Sequence, residues 1–260
     1  MTAILQIRDL TFKRGNRIIV NHMNLSFKAS QFIGLIGPNG TGKSTFLRLL
    51  AKLLKPHSGS VQFCNKNLNK MNDLEVAKAI TYMPQTTILE YQFTVEQIVM
   101  MGRHPHRKKW QLSQKQDYKI VEDAMKQTGI YHLKDRYITT LSGGERQLVF
   151  LAKAITQQSE VILLDEPTSD LDIYHQVQIS EIICRLAEEG KTVVAAIHDI
   201  NLAARYCNRL LLLRDGEIVA CAAPEEAITE ANLRKVFQTN TYTYDDPYLE
   251  KRQVIPYSVF

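Results

Sequence analysis

The first third of the chain is patterned as short strands followed by one helix. Between about residues 4 and 35, the segments AILQIRDLTF, NLSFKA and FIGLI are apolar or alternate between apolar and polar positions, and the polar turns RGN and KASQ separate them. FIGLI is apolar at nearly every position, which predicts a central parallel strand that is buried on both faces. The next segment, STFLRLLAKLL, has helical periodicity, and the proline and glycine of KPHSG should end that helix.

The middle of the chain, from about residue 87 to residue 158, has a helical pattern without a convincing strand. TVEQIVMMGR, SQKQDYKIVEDAMKQTG and ERQLVFLAKAITQ each repeat apolar residues at helical spacing. We therefore expect a helical subdomain at 87–158, inserted into an α/β core that comprises 1–86 and 159–260.

After residue 158, strands and helices alternate. EVILLDE and TVVAAIHD are predicted strands, YHQVQISEIICRLAEEG and NLAARYC are predicted helices, and RLLLLRDGEIVAC is a predicted hairpin that turns at Asp215 and Gly216. The first of these helices should bury a stripe formed by Ile179, Ile182, Ile183 and Leu186. Such alternation predicts a largely parallel α/β sheet.

Length and composition narrow the class of protein. A chain of 260 residues fits one large domain or one domain with an insertion. The apolar runs are far shorter than the roughly 20 residues of a membrane span, and the N-terminus lacks the apolar core of a signal peptide, so a cytoplasmic location is expected. The net charge of +5 is too small to indicate a dedicated nucleic-acid surface. Four cysteines without CxxC spacing should be reduced, mostly buried thiols; they are Cys64, Cys184, Cys207 and Cys221.

The segment GPNGTGKST matches the phosphate-binding loop G-x-x-x-x-G-K-[ST] and lies between a buried strand and an amphipathic helix. Its glycines allow backbone N–H groups to point inward, toward the positive end of the helix dipole. Lys43 can reach the β- and γ-phosphates, and the Ser44 hydroxyl can bind Mg²⁺. The predicted loop consists of Gly37, Pro38, Asn39, Gly40, Thr41, Gly42, Lys43, Ser44 and Thr45.

Carboxylates and a histidine follow two predicted strands. VILLDEP would deliver Asp165 and Glu166 to the carboxyl edge of the sheet, where Asp165 could hold Mg²⁺ and Glu166 could deprotonate water. Alternatively, Asp-Glu-Pro merely ends a strand. His198 lies at the end of the strand in TVVAAIHD, where a lone histidine is more often a structural residue than a catalytic one. Gln85, in YMPQ, is unremarkable taken alone.

A second glycine-bearing loop, LSGGE, also precedes a helix. Ser142 and Glu145 fit a capping box, and Leu148, Leu151, Ala152 and Ile155 share one face of that helix. The cap does not explain Gly143 and Gly144, because a glycine in a helix costs about 1 kcal/mol relative to alanine. Close approach of a phosphate to the backbone would explain both.

Taken in order, GPNGTGKST, Gln85, LSGGE, VILLDEP, SDLD and His198 resemble the ATP-binding subunit of an ABC transporter over nearly the whole chain. The resemblance implies a P-loop NTPase core with a mixed, largely parallel sheet, an N-terminal antiparallel β-subdomain and an inserted α-helical subdomain. It also implies a head-to-tail homodimer in which the LSGGE loop of one chain closes over ATP held by the other.

The resemblance further assigns roles by position. Ser142, Gly143 and Gly144 would contact ATP across the interface, and Ser169, Asp170 and Asp172 would couple the two sites. In the chain that holds ATP, Gln85 would sense Mg²⁺ and the attacking water. Glu166 would be the catalytic carboxylate there, and His198 would bind the γ-phosphate. The implied cofactors are ATP and Mg²⁺, with Ser44, Gln85 and Asp165 around the metal.

Two positions depart from the common family pattern. Glu145 replaces the commoner glutamine and preserves the capping box. Arg14 occupies approximately the position at which many members stack a tyrosine on adenine; a guanidinium plane can also stack on a base.

Within the family, TVEQIVMMGRHPH and the segment from HDINLAARYC to LRKVF resemble importer subunits for ferric siderophores, haem and cobalamin. The implied partners are integral membrane permease subunits and, indirectly, an extracytoplasmic binding protein, with no nucleic acid. The implied location is peripheral, at the cytoplasmic face of the membrane. The basic segment 103–109 is either a surface that faces the permease or lipid headgroups, or a solvated face. A metal site at His104 and His106 is disfavoured, because no further ligand is spaced nearby.

Other classes of the same superfamily remain as alternatives. An exporter motor would often be fused to membrane helices, and soluble members that act on DNA or the ribosome resemble proteins with long coiled-coil insertions or two fused ATPase units. The sequence shows none of these features.

Overall fold

The computed structural model of the protein describes residues 3–85, 92–107 and 114–259. Its centre is a six-stranded sheet in the order β10-β9-β3-β8-β7-β6, parallel except for the edge strand β10. The strands of this sheet are β3 (Phe32–Ile36), β6 (Ile80–Met83), β7 (Val161–Asp165), β8 (Thr192–Ala196), β9 (Arg209–Arg214) and β10 (Glu217–Ala222). The predicted hairpin is confirmed, with Asp215 and Gly216 both at positive φ in its turn.

The central strands are apolar throughout because both faces of the sheet are covered. In β7, Ile162 and Leu164 face one hydrophobic core, whereas Val161 and Leu163 face a second core on the opposite side. The second core includes an antiparallel sheet in the order β2-β1-β4-β5. This sheet comprises β1 (Ala3–Arg14), β2 (Arg17–Lys28), β4 (Ser58–Phe63) and β5 (Lys66–Asn67). The expected α/β class and N-terminal antiparallel sheet are therefore confirmed.

Six of the helices of the described residues lie close to predicted segments, whereas α2, α8 and α9 were not predicted. They are α1 (Lys43–Leu50), α2 (Asp73–Ala79), α3 (Val95–Met100), α4 (Lys115–Gln127), α5 (Gly143–Thr156), α6 (Ile173–Glu188), α7 (Ile200–Tyr206), α8 (Pro224–Ala227) and α9 (Glu230–Phe237). α1 is shorter than STFLRLLAKLL predicts, because Lys52 takes φ 58° and donates from its ammonium to the Met71 carbonyl at 2.7 Å. The predicted stripe of α6 is at most 2% exposed.

Helices α3, α4 and α5 pack together and form the predicted helical segment, and the described part of 87–158 contains no strand. A short 3₁₀ helix (Met101–His106) directly follows α3. Gly102 lies against the carbonyl of Lys153 and the hydroxyl of Thr156, where a Cβ would have no room. The 3₁₀ helix is thus held against α5.

The basic segment 103–109 does not form one patch. Arg103 is only 6% exposed; it pairs with Asp117 at 2.9 Å and donates to the Thr156 carbonyl at 2.8 Å. Both alternatives considered for the segment are therefore wrong for Arg103, which is a buried structural residue. His106 donates to the Gln157 carbonyl at 2.7 Å. Lys108 and Lys109 lie outside the described residues. No cluster of three potential metal ligands occurs in the described parts of the chain, and this gives a site at His104 and His106 no support.

A C-terminal hairpin follows α9. Its strands are β11 (Thr239–Asp246) and β12 (Lys251–Val259), and Asn201 on α7 binds both backbone groups of Val254 at 2.8 and 3.2 Å. The sequence interpretation missed this element, because its strands expose alternating tyrosines and polar residues and bury little apolar surface.

The cysteines are unpaired, as expected. The expectation that most of them are buried is wrong: Cys64 is exposed, Cys184 and Cys221 are half-buried, and only Cys207 is buried. Among the helices of the described residues, none has the length and apolar character that a membrane span requires.

The Arg103–Asp117 pair provides a test of this packing. Burial alone would raise the pKa of Asp117, but hydrogen bonds from Arg103 and from the Gln114 backbone outweigh burial and lower that pKa. Arg103→Ala would leave a buried, unpaired carboxylate and should cost about 3–5 kcal/mol of unfolding free energy, measured by urea denaturation. The control is Lys119→Ala, which removes an exposed ion pair to Asp123 on α4 and should cost at most about 0.5 kcal/mol. Equal losses for the two variants would contradict a structural role for Arg103.

Candidate active site

Four polar segments meet at the carboxyl edge of the central sheet. Parallel strands β3, β6, β7 and β8 all end at this edge and lead directly into the phosphate loop, Gln85, Asp165–Glu166 and His198. Residues that are up to 161 positions apart (198 − 37) in sequence therefore surround one depression. Binding at this edge is the rule for open α/β sheets.

The phosphate loop leads into α1 at Gly42, the N-cap residue, which has φ 98° and no side-chain cap. Only glycine takes this conformation readily, and a Cβ here would also lie 2.7 Å from the Ile19 carbonyl oxygen. The backbone N–H groups at the start of α1 are thus free of a side-chain cap and can receive an anion.

Lys43 is buried and its ammonium folds back on its own loop. Nζ donates to the carbonyl oxygens of Gly37 at 2.6 Å and Pro38 at 3.1 Å. Burial lowers the pKa of Lys43, and the nearby carboxylates of Glu166 and Asp165 partly oppose this effect. The ammonium is therefore held at the centre of the loop by acceptors that a phosphate could replace.

Asp165 is held by two hydroxyl groups. Ser44 Oγ donates to Oδ1 at 2.8 Å and Tyr82 OH donates to Oδ2 at 2.9 Å, while Arg48 Nε donates to the Tyr82 oxygen at 3.2 Å. Burial raises the pKa of Tyr82, which keeps its proton available for this bond. The sequence interpretation missed Tyr82, which lies in the strand ITYM, and Arg48, which lies on α1; neither belongs to a recognised motif.

Glu166 is enclosed by two partners. Gln85 Nε2 donates to Oε2 at 2.5 Å, and His198 Nε2 lies 2.5 Å from Oε1. Glu166 itself takes the left-handed φ of 55°, which is unfavourable for a non-glycine residue and is found disproportionately at functional sites. The structure thus joins three residues that the sequence could only indicate one by one.

These groups border a cavity of about 510 Å³ beside the phosphate loop. Its lining includes Asn39, Gly40, Gly42, Lys43, Ser44, Thr45, Gln85, Glu166 and His198. Arg14 and Arg17 form one wall at the turn between β1 and β2. The position of Arg14 is compatible with a base or a phosphate, and its stacking on adenine stays a prediction.

The LSGGE loop and Asp172 lie outside this cavity lining. The predicted capping box is confirmed: the Glu145 backbone N–H donates to Ser142 Oγ at 3.2 Å, and the Ser142 N–H donates to the Glu145 carboxylate at 2.9 Å. An added Cβ at Gly143 would meet nothing closer than Leu171 at 4.0 Å, whereas one at Gly144 would overlap the His175 ring. Phosphate approach therefore remains an explanation for Gly143, but a contact within the chain already requires glycine at position 144.

The fold and this edge of the sheet define an ATP-binding cassette of the P-loop type. The sequence profile described as ABC transporter matches residues 20–169, more than half of the chain, which therefore belongs to the ABC transporter family. The resemblance stated from the motifs is thereby confirmed.

Several proteins that are similar in sequence are named as ATP-binding proteins of transport or import systems. A ferric enterobactin transport ATP-binding protein of Escherichia coli is 36% identical over 255 residues, covering 98% of this chain and 94% of that protein. An iron(3+)-hydroxamate import ATP-binding protein of Bacillus subtilis is 35% identical, covering 98% and 95%. A cobalamin import ATP-binding protein of Halobacterium salinarum is 37% identical over 94% of this chain, which spans only 61% of that protein.

Solved structures of ABC transporter proteins are also similar to this chain. A chain of a metal-chelate type ABC transporter in an inward-facing conformation superposes with a TM-score of 0.88 and 28% identity, covering 99% of this chain and 98% of that one. A dimeric ATP-binding cassette in a post-hydrolysis state with ADP and Pi superposes with a TM-score of 0.74 and 28% identity, covering 85% and 98%.

Lys43→Ala tests the phosphate loop. Without the ammonium, the charge-assisted bonds to nucleotide phosphates disappear, and affinity for a fluorescent ATP analogue should fall at least about tenfold. Lys119→Ala, whose side chain does not line the cavity, serves as the control and should bind normally. Unchanged affinity in Lys43→Ala would refute the assignment of the loop.

Ser142→Ala separates the cap from a nucleotide contact. Loss of the cap alone should cost about 1 kcal/mol of unfolding free energy, as should Thr94→Ala, which removes the equivalent capping box of α3. If Ser142 also contacts nucleotide on a second chain, only Ser142→Ala should in addition weaken ATP-dependent dimerisation, measured by sedimentation velocity. Equal behaviour of the two variants in both assays would assign Ser142 to the cap alone.

Proposed function

We propose that this chain is the ATP-hydrolysing motor subunit of an ABC importer, and that two copies of it couple ATP binding, dimer closure and hydrolysis to uptake of a metal chelate. The observation that carries the proposal is the position of Glu166. Its carboxylate borders the phosphate-loop cavity and is bound on both oxygens by Gln85 and His198.

ATP would bind in the cavity with its phosphates on the loop Gly37–Thr45. Lys43 would leave the carbonyls of Gly37 and Pro38 for the β- and γ-phosphates, which are far better acceptors for an ammonium. Arg14 would lie against the base. Exchange of internal acceptors for phosphate oxygens leaves no charge of the loop unpaired.

Ser44 and Asp165 would hold Mg²⁺. Their oxygens are 2.8 Å apart, and hydroxyl and carboxylate oxygens are the hard ligands that this ion prefers. Gln85, whose amide oxygen is not used in the bond to Glu166, would complete the protein's share of the site. When bound, Mg²⁺ neutralises charge that develops on the transferring phosphate.

Glu166 would act as the base for the attacking water. In the present arrangement each of its oxygens already contacts one partner, and release of Gln85 or His198 would leave the carboxylate freer to accept a proton from water. The γ-phosphate would attract His198 away from Glu166, and this exchange would couple nucleotide binding to activation of the base.

A second copy of the chain would complete the site. Ser142 and Gly143 are exposed at the start of α5, the positive end of a 14-residue helix, and lie outside the cavity of their own chain. Contact with the γ-phosphate of a partner chain would bring this helix end to an anion, with Ser169, Asp170 and Asp172 between the two sites. The dimeric cassette among the similar solved structures supports such an assembly.

The helical segment carries the surface for the membrane permease. A groove of about 590 Å³ opens between the C-terminal end of α3 and α5. Its lining residues include Met100, Met101, His104 and Lys153. Apolar side chains beside basic groups suit an amphipathic segment with an acidic edge. The subunit would then sit peripherally at the cytoplasmic face, with an extracytoplasmic binding protein acting only through the permease.

Within this assignment, we divide the chain into a core of 1–86 and 159–260 and a helical signature subdomain of 87–158. Similar relatives are named for transport of ferric enterobactin and for import of iron(3+)-hydroxamate and cobalamin. We therefore favour an importer over an exporter or a soluble ATPase. The substrate class is a ferric siderophore or a cobalamin-like chelate, and haem is a further member of that class.

Cells that lack this chain should lose uptake of one such chelate from a radiolabelled panel, and unchanged uptake of all of them would refute the importer.

Glu166→Gln is the decisive variant for the mechanism. Removal of a general base should lower ATP turnover by about 10²-fold or more, while the amide still fills the site and ATP still binds. The unhydrolysed γ-phosphate should then hold two chains together, so MgATP should produce a stable dimer by light scattering. Glu122→Gln, on an exposed face of α4, is the control and should leave turnover unchanged. Normal turnover in Glu166→Gln would eliminate it as the base.

A further inference from the structure

The second glycine of the LSGGE loop is in contact with a histidine from the segment that follows the catalytic carboxylate. A Cβ built on Gly144 would lie 2.6 Å from Nδ1 of His175 and closer still to two ring carbons. Real Cβ contacts are essentially never shorter than 3.0 Å. The ring therefore packs directly on the Gly144 backbone, and glycine is needed there for a reason that involves no ligand.

His175 is fixed in this position by its own hydrogen bonds. Nδ1 donates to the Asp172 carboxylate at 2.9 Å, and the His175 backbone N–H donates to Asp172 Oδ1 at 2.9 Å. These hydrogen bonds from His175 lower the pKa of Asp172, which keeps the acceptor ionised. The Tyr174 ring meets the imidazole edge-on with a centroid distance of 5.3 Å. The histidine side chain is only 20% exposed, so its ring has little freedom to rotate away.

One further bond ties the same two segments together, and two others hold the second segment to itself. Gln147, one turn into α5, donates from Nε2 to the Pro167 carbonyl at 3.0 Å. Ser169 Oγ donates to the Glu166 carbonyl at 3.0 Å, and Gln176 Nε2 donates to the Leu171 carbonyl at 3.1 Å. The start of α5 and the 166–172 segment are thus joined at two places, of which the His175–Gly144 contact is the one next to the LSGGE loop.

We propose that His175 is a positioning residue that locks the LSGGE loop to Asp172 of the same chain, so that both segments meet nucleotide on a second copy as one rigid unit. The inference rests on the proposed function, because it needs a partner chain that holds ATP. It adds a residue to that function for which neither the phosphate-loop motif nor the LSGGE motif accounts.

Rigidity matters here because a loop that becomes ordered on dimer closure loses conformational entropy, and this loss weakens association. A loop already fixed against Asp172 loses little conformational entropy when it binds the γ-phosphate, and the gain appears directly as tighter association. Without the ring, Gly143 and Gly144 have no side chains that could hold the loop, and the same contacts would be made at a greater entropic cost.

The contact is tested first by a double-mutant cycle on thermal stability. Gly144→Ala alone should lower Tm by roughly 4–10 °C, because the new methyl group overlaps the His175 ring. In a His175→Ala background the same change should leave Tm unchanged or raise it by roughly 1–3 °C, since alanine forms helix better than glycine. The destabilisation by Gly144→Ala should therefore disappear or change sign when the ring is absent.

Gly143→Ala is the matched control. An added methyl group there meets only Leu171 at 4.0 Å, and the φ of neither glycine is positive, so alanine fits the backbone at both positions. Gly143→Ala should change Tm by the same small amount with or without His175. A destabilising Gly144→Ala effect of equal size in both backgrounds would overturn the contact.

The functional role is tested in the Glu166→Gln chain. His175→Ala should weaken the MgATP-dependent dimer at least about tenfold by sedimentation, whereas the affinity of the dilute monomer for a fluorescent ATP analogue should stay within about twofold. A merely structural role would weaken both or neither. If His175→Ala does not fold at 20 °C, His175→Asn replaces it in both measurements, because asparagine keeps a donor for Asp172 and removes the ring from Gly144.

The two proposals fail in different ways. If Glu166→Gln with native His175 does not dimerise with MgATP, the proposed function is wrong, whatever the stability cycle shows. If that chain dimerises and His175→Ala dimerises with the same affinity, the proposed function stands and the positioning role of His175 is overturned.

Discussion

The parallel direction of four neighbouring strands in the six-stranded sheet is the constraint on which the rest of the structure depends. Because β3, β6, β7 and β8 all end at one edge, the phosphate loop, Gln85, the Asp165–Glu166 pair and His198 converge without any of them being close in sequence. The strands can hold this arrangement because hydrophobic cores cover both faces of the sheet. The cost is a largely apolar strand composition, with Thr81, Tyr82 and Thr192 as the polar exceptions before the strand ends, so most of the chemistry lies at the strand ends and in the loops that follow.

At this edge, the strongly polar groups are satisfied by one another. Lys43 binds carbonyls of its own loop, Asp165 accepts from Ser44 and Tyr82, and Glu166 accepts from Gln85 and lies 2.5 Å from His198 Nε2. Leaving such groups unpaired in a partly buried site would cost about 1–3 kcal/mol each or more. A nucleotide therefore gains affinity only from bonds that are better than those it replaces. In the proposed mechanism, phosphate oxygens would meet this condition for Lys43, and the displaced partners of Glu166 would become available for water and the γ-phosphate.

The sequence was sufficient for features that depend on local spacing. The phosphate loop, the capping box of Ser142 and Glu145 and the α6 stripe all follow from residues within one or two turns or one strand of each other. What it could not give are contacts between distant segments. Tyr82 reaches Asp165 over 83 positions, and Arg103 is buried by Thr156 and Asp117 although its neighbours in sequence are basic. The C-terminal hairpin was missed because its polar, tyrosine-rich strands lack the apolar pattern that marks a buried strand.

The LSGGE loop shows how a local rule can identify an anomaly and still leave its cause open. Two glycines in the first turn of α5 are unfavourable for the helix, and close approach of one ligand appeared to explain both. The structure divides them: Gly144 is required by the His175 ring of its own chain, and only Gly143 faces open space. The internal contact thus accounts for only one of the two glycines. In the proposed dimer, Gly143 at this exposed helix terminus would face the γ-phosphate held by the second chain, so close approach of that phosphate would account for the other.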